Sequence, residues 1–231
     1  MQDKIMPEDK WKFDKDVTAV FDNMLQRSIP QYEVMRELCF RIGKNFVVPK
    51  TYIADIGCSN GTAISPFIDE FGDNNNYMML DVSDSMLTEA KRRFPQQKDN
   101  ILKYDITQGL PEHNYSVILS ILTIQFTPIE YRHKIIKSCY DLLCANGAFV
   151  FVEKVLGNTS KIDDVFVDEY YSIKRNHQYT QEQIQAKRKS LEGVLVPITS
   201  SWNIDLLKSA GFKQIDCFWR CLNFAGFIAL K

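Results

Sequence analysis

From Thr51 to Glu153 short β-rich runs alternate with amphipathic stretches, and few folds accept that rhythm. The strand candidates are Tyr52 to Ile56, Tyr77 to Leu80, Ile101 to Tyr104, Ser116 to Ile121 and Ala148 to Glu153, with helical patterns over Ala63–Phe71, Ser85–Phe94 and Ile129–Leu143 between them. Strand and helix in alternation predict βαβ units with right-handed crossovers and a parallel sheet covered on both faces. The end of the chain breaks the rhythm. Phe212 to Trp219 and Asn223 to Leu230 are two β-type runs joined by too few residues for a crossover, so they predict an antiparallel hairpin.

Two regions lie outside the alternation. Val17, Val20, Phe21, Met24 and Leu25 recur at helical spacing, as do Val34, Met35, Leu38, Cys39 and Ile42 after Pro30, which predicts two cap helices within residues 1–50. Residues 155–197 are polar and helix-prone, a helical insertion able to close over a site or meet another subunit. All of this is read as one domain over 1–231.

Composition narrows the classes of function. A formal charge of −1 disfavours binding through a nucleic-acid backbone, which needs many cations against phosphates. No apolar run approaches the ~20 residues of a membrane span, and the charged start does not resemble a signal peptide, so a cytoplasmic protein with a small-molecule substrate is expected. The six cysteines form no C-x-x-C pair and the three histidines are scattered, so no metal site is expected; Cys39 and Cys139 read as buried thiols.

The informative loop follows the first strand. Asp55-Ile56-Gly57-Cys58-Ser59-Asn60-Gly61 sets an acidic residue before two glycines, at the place where open α/β sheets bind nucleotide-like ligands. It lacks the G-x-G-x-x-G of a dinucleotide fold. Asp81 ends the second strand, where a carboxylate can accept both ribose hydroxyls; Asp105 ends the third, where it can accept from an adenine amine while Ile106 packs on the ring. Each Asp alone could be a helix cap or turn former. In this order they resemble motif I and its sequels in class I S-adenosylmethionine (SAM)-dependent methyltransferases, a Rossmann-like fold.

The likeness narrows elsewhere. Trp11-Lys12-Phe13-Asp14, Gln26-Arg27-Ser28-Ile29-Pro30-Gln31-Tyr32, Gln125-Phe126, Glu153-Lys154, Lys174-Arg175, Lys187-Arg188, Ala210-Gly211-Phe212 and Asn223-Phe224 resemble the carboxy-S-adenosylmethionine synthase family over nearly the whole chain. The resemblance implies SAM or carboxy-SAM as cofactor, held by Tyr32, Gly57, Cys58, Ser59, Asp81, Val82, Asp105 and Ile106 beside Asp55 and Gly61. It implies conversion of SAM and prephenate to carboxy-SAM and phenylpyruvate, for modification of a tRNA wobble uridine by a separate enzyme, and a homodimer whose subunits complete each other's sites. Two positions depart from the pattern: Ile121 stands where the family has Asn, and Leu206 where the resemblance places the Arg that holds the added carboxylate. Lys208 or Arg220 is a candidate replacement; without one, an ordinary small-molecule methyltransferase or a non-catalytic SAM-binding protein is the alternative reading. Lys174, Arg175 and Tyr179 are candidates for the substrate, as are Lys187, Arg188 and Lys189, against the reading of a Lys/Arg-rich helix as a solvated face. No nucleophile or metal set stands out, as suits chemistry on a methyl sulfonium, where alignment and electrostatics do the work.

Overall fold

A computed structural model describes residues 2–231. Two helices precede the sheet. Helix α1 (Lys15–Ser28) starts where the Asp14 side chain accepts from the Asp16 and Val17 amides; α2 (Tyr32–Gly43) follows after Gln31 turns through a left-handed φ of 54°. The alternation then unfolds as β1 (Tyr52–Ile56), α3 (Ser65–Phe71), β2 (Asn76–Asp81), α4 (Asp84–Arg93), β3 (Ile101–Lys103), β4 (Tyr115–Ile121), α5 (Ile129–Leu142) and β5 (Leu143–Leu156). The insertion forms α6 (Ser160–Asn176) and α7 (Gln181–Leu191), and the chain ends with β6 (Ile198–Thr199), α8 (Ser200–Ala210), β7 (Gln214–Cys221) and β8 (Phe224–Leu230).

The main strands lie in the order β3-β2-β1-β4-β5-β8-β7. Strands β1 to β5 are parallel; β8 runs antiparallel to β5, and β7 pairs back antiparallel on β8. The sheet is thus mostly parallel with an antiparallel C-terminal hairpin, as the sequence predicts, and the last strand lies between β5 and β7. Two differences from expectation concern β5. Strand β5 begins at Leu143 instead of Ala148, because α5 passes into it without a loop and the pairing with β4 slips between Tyr115 and Val117. The two-residue β6 pairs with β5 at Val155 and Leu156, beyond the expected end of that strand.

Period-two alternation divides the apolar residues between the two faces. Ile53, Tyr77, Met79, Val117 and Val150 pack on one side with Met35 of α2 and Phe67 of α3; Ala54, Ile56, Leu80, Ile118 and Phe149 pack on the other with Ile135 of α5 and Leu207 of α8. Cys39 and Cys139 are buried free thiols. The N-terminal segment lies against the insertion: the Trp11 amide donates to the Ser190 carbonyl at 2.9 Å, and the buried Asp3 carboxylate accepts from Lys187 and from the Tyr179 hydroxyl. No helix among the described residues is long and apolar enough to cross a membrane.

Candidate functional site

The parallel strands end along one edge of the sheet, and over that edge lies a cavity of about 450 Å³, within the usual range of small-molecule sites. Helices α1 and α2, the N-terminal aromatics Trp11 and Phe13, and insertion residues Tyr170, Lys174 and Lys187 close it.

Strand order sets its floor. Asp105 follows β3, Asp81 ends β2 and Asp55 lies in β1, so three neighbouring strands, about 4.8 Å apart, carry three carboxylates in a row. Asp81 is held from two sides, Oδ2 accepting from the Ser59 amide at 2.8 Å and Oδ1 from the Ser83 amide at 2.9 Å. Burial raises its pKa, while those bonds pull it down. Asp105 accepts from the Thr107 amide and hydroxyl through Oδ1 alone, so its turn-capping role is real and Oδ2 is left over. Asp55 is 1% exposed, with Oδ2 unpartnered; burial pushes its carboxyl up to about 7, against the pull of the Arg36 guanidinium.

The glycine loop fits closely. Gly57 has φ +73°, and a Cβ there would come within 2.2 Å of the Thr123 methyl on the loop after β4. Only glycine satisfies both conditions, which lets the β1 and β4 loops meet over the cavity. The Gly57 and Cys58 amides donate to the Leu80 carbonyl at 2.7 and 2.9 Å, tying this loop to β2. Burial keeps the Cys58 thiol well above its ordinary pKa, so it lines the cavity as a thiol and not as a nucleophile.

Beyond β4 the character of the cavity reverses. Lys154 in β5, Lys174 in α6 and Lys187 in α7 line this end. The Tyr170 ring lies between two of them, 4.9 Å from the Lys154 ammonium and 5.4 Å from that of Lys174; the Tyr179 ring is 4.9 Å from both Lys174 and Lys187. Burial lowers Lys154 to about 8, and burial with the neighbouring Lys187 and Lys154 charges lowers Lys174 to about 7. Lys187 alone has a carboxylate partner, Asp3. The loop between the two ends is braced from below. Arg132 donates to the carbonyls of Gln125, Thr127 and Val196, and the buried Glu153 carboxyl, pushed up to about 8, faces the amides of Thr123, Ile124 and Gln125.

Of the residues singled out in the sequence, Tyr32, Asp55, Gly57, Cys58, Ser59, Asp81, Val82, Asp105, Ile106 and Lys174 come together in the lining. Gly61 lies behind it, packed on the Phe94 ring. Arg175, one step around α6 from Lys174, is exposed, as are Arg188 and Lys189; Tyr179 is spent on Asp3 and Ser28. Lys208 and Arg220 are exposed and off the cavity, Arg220 donating to Ser200 and to the Leu222 carbonyl. Leu206 packs on the core beside Leu207, outside the lining formed by its own chain. Arg36 escapes a reading of the sequence because a lone Arg in an amphipathic helix reads as solvated. Its signal is its place one turn after Tyr32, on the same helix face.

Fold and cavity define a class I methyltransferase-type transferase. Residues 54–149 match the family profile "Methyltransferase domain". Two solved structures share the fold: the CurJ carbon methyltransferase (TM-score 0.62, 14% identity, 92% of this chain and 58% of that one) and human N-acetylserotonin methyltransferase in complex with SAM (TM-score 0.54, 14% identity, 94% and 54%). Sequence relatives are narrower in kind. The chain is 36% identical over 228 residues to a carboxy-S-adenosyl-L-methionine synthase of Methylococcus capsulatus (96% of this chain, 94% of the relative) and 35% identical over 223 residues to that of Staphylococcus epidermidis (96% and 97%). The chain belongs to the carboxy-S-adenosyl-L-methionine synthase family.

Proposed function

We propose that the protein holds SAM along its row of carboxylates and an organic dianion, prephenate, at its lysine end: prephenate gives up its ring carboxyl group as carbon dioxide and its ring hydroxyl, the hydroxyl leaves as water with a proton from the SAM methyl group, and that methyl carbon takes the carbon dioxide, giving carboxy-SAM, phenylpyruvate and water. One observation carries this reading: a single cavity with three strand-end carboxylates at one end and Lys154, Lys174 and Lys187 at the other. Adenine, ribose and amino acid are three units in a chain, and Asp105, Asp81 and Asp55 are three acceptors in the same order. Ile106, 6% exposed, supplies the apolar surface for the ring.

The lysine end supports an anionic second substrate. An apolar methyl acceptor would leave two buried amines without carboxylate partners, at a desolvation cost. A dianion would restore their charge and hold them protonated. No residue here is required as a nucleophile. Trp11, Phe13 and Phe126 shed water from the reacting carbon, and the lysines fix the anion facing it. Use of the product in tRNA wobble modification by a separate enzyme, and a homodimer, belong to the same reading; Ile162 and Val165 on the outer face of α6, 43% and 61% exposed, offer apolar surface for a second copy.

The test is incubation of purified protein with SAM and prephenate, with mass spectrometry of the products. Carboxy-SAM together with phenylpyruvate supports the reading. SAM binding with unchanged prephenate overturns it in favour of an ordinary methyltransferase.

A further inference from the structure

We propose that Arg36 and Asp55 form a receptor for the zwitterionic amino-acid end of the bound nucleoside, Arg36 taking the α-carboxylate and Asp55 the α-ammonium. The inference rests on the SAM reading above and assigns Arg36 a ligand within it.

Four observations converge. Both residues line the cavity, Asp55 from β1 and Arg36 from the face of α2 that also presents Tyr32. Arg36 makes no ion pair among the described residues; its guanidinium lies 5.9 Å from the Tyr32 ring centroid. Asp55, 1% exposed, keeps Oδ2 without a hydrogen-bond partner. Arg36 is also close enough to Asp55 to act on its charge. A buried orphan acceptor beside an unpaired planar cation is complementary to one group, an ammonium and a carboxylate on the same carbon.

Position agrees. Along the edge, Asp105 and Asp81 stand over β3 and β2, so the unit beyond the ribose falls over β1, beneath α2. A guanidinium reaching this unit fixes where the sulfur sits and so where the transferable carbon points. Arg36 is then a positioning residue, separate from the lysines that face the second substrate.

The test uses two nucleosides that differ by one group: S-adenosylhomocysteine and S-adenosyl-3-thiopropylamine, which lacks only the α-carboxylate. Dissociation constants are measured by calorimetry for the full chain and for Arg36→Leu and Arg36→Lys. The wild type is expected to prefer S-adenosylhomocysteine by about 10- to 100-fold, the range for a charge-assisted hydrogen bond. Arg36→Leu should abolish that preference while binding the decarboxylated nucleoside as the wild type does, and Arg36→Lys should keep part of it. Equal weakening of both ligands in Arg36→Leu would make the residue merely structural and overturn the inference. Unchanged S-adenosylhomocysteine affinity in Arg36→Leu would overturn it too, leaving the SAM reading intact. Failure of the wild type to bind either nucleoside would instead sink the SAM reading.

Discussion

Replacing Asp55 with asparagine should weaken ligand binding while stabilising the empty protein at alkaline pH. The carboxyl is 1% exposed, one of its oxygens has no partner, and burial raises its pKa from 3.8 to about 7. A carboxyl raised in the folded state stabilises while it is neutral. That contribution is complete below the unfolded pKa and is lost as pH rises through the folded one. Each unit between the two is worth about 1.4 kcal/mol, so about 3 kcal/mol should disappear between pH 5 and pH 8 in the wild type and remain in Asp55→Asn. Urea unfolding followed by circular dichroism at pH 5, 6.5 and 8 reads this directly. Relative to wild type, the variant should gain about 3 kcal/mol from the acid to the alkaline end, while its affinity for S-adenosylhomocysteine falls. Parallel pH profiles for the two proteins would refute the reasoning, because they would mean that Asp55 titrates as an ordinary solvated carboxylate.

Other outcomes follow from the same geometry. Lys174→Ala and Lys154→Ala should raise the KM for prephenate about tenfold or more and leave SAM affinity within twofold, by steady-state kinetics and calorimetry; loss of SAM binding instead would contradict the division of the cavity. Because burial lowers Lys174 to about 7 and Lys154 to about 8, prephenate binding at pH 8 should take up protons, seen as a binding heat that varies with buffer ionisation enthalpy, and an invariant heat would count against the lysine end as its site. Gly57→Ala must bear a φ of +73° and a 2.2 Å approach to Thr123, which should cost about 2–5 kcal/mol of stability in denaturant melts. Thr123→Gly in the same chain should recover part of it, and strict additivity would argue against the contact.

Much of the fold is legible in the sequence because the signals are local. Apolar runs of strand length, helical periodicity between them and the short C-terminal connection give the sheet and its hairpin. The three carboxylates of the lining are legible for the same reason: Asp55, Asp81 and Asp105 each stand at or near the end of a readable strand. The opposite end of the cavity was harder. Lys174 and Arg175 are neighbours in a charged helix, and only the phase set by Tyr170, four residues before Lys174, sends one inward and the other to solvent. Lys154 sits within a strand that runs on to Leu156, past its expected end. Leu206 packs beside Leu207 on the core of its own chain, a placement that spacing along α8 does not reveal.

In the proposed reaction a carboxyl group passes from an anion at the lysine end to the carbon held over the carboxylates. Prephenate labelled with ¹³C in its ring carboxyl group tests it most directly. The label should appear in the nucleoside product, in equal amount to the phenylpyruvate released. A nucleoside without the label, or phenylpyruvate formed while SAM is unchanged, would contradict it.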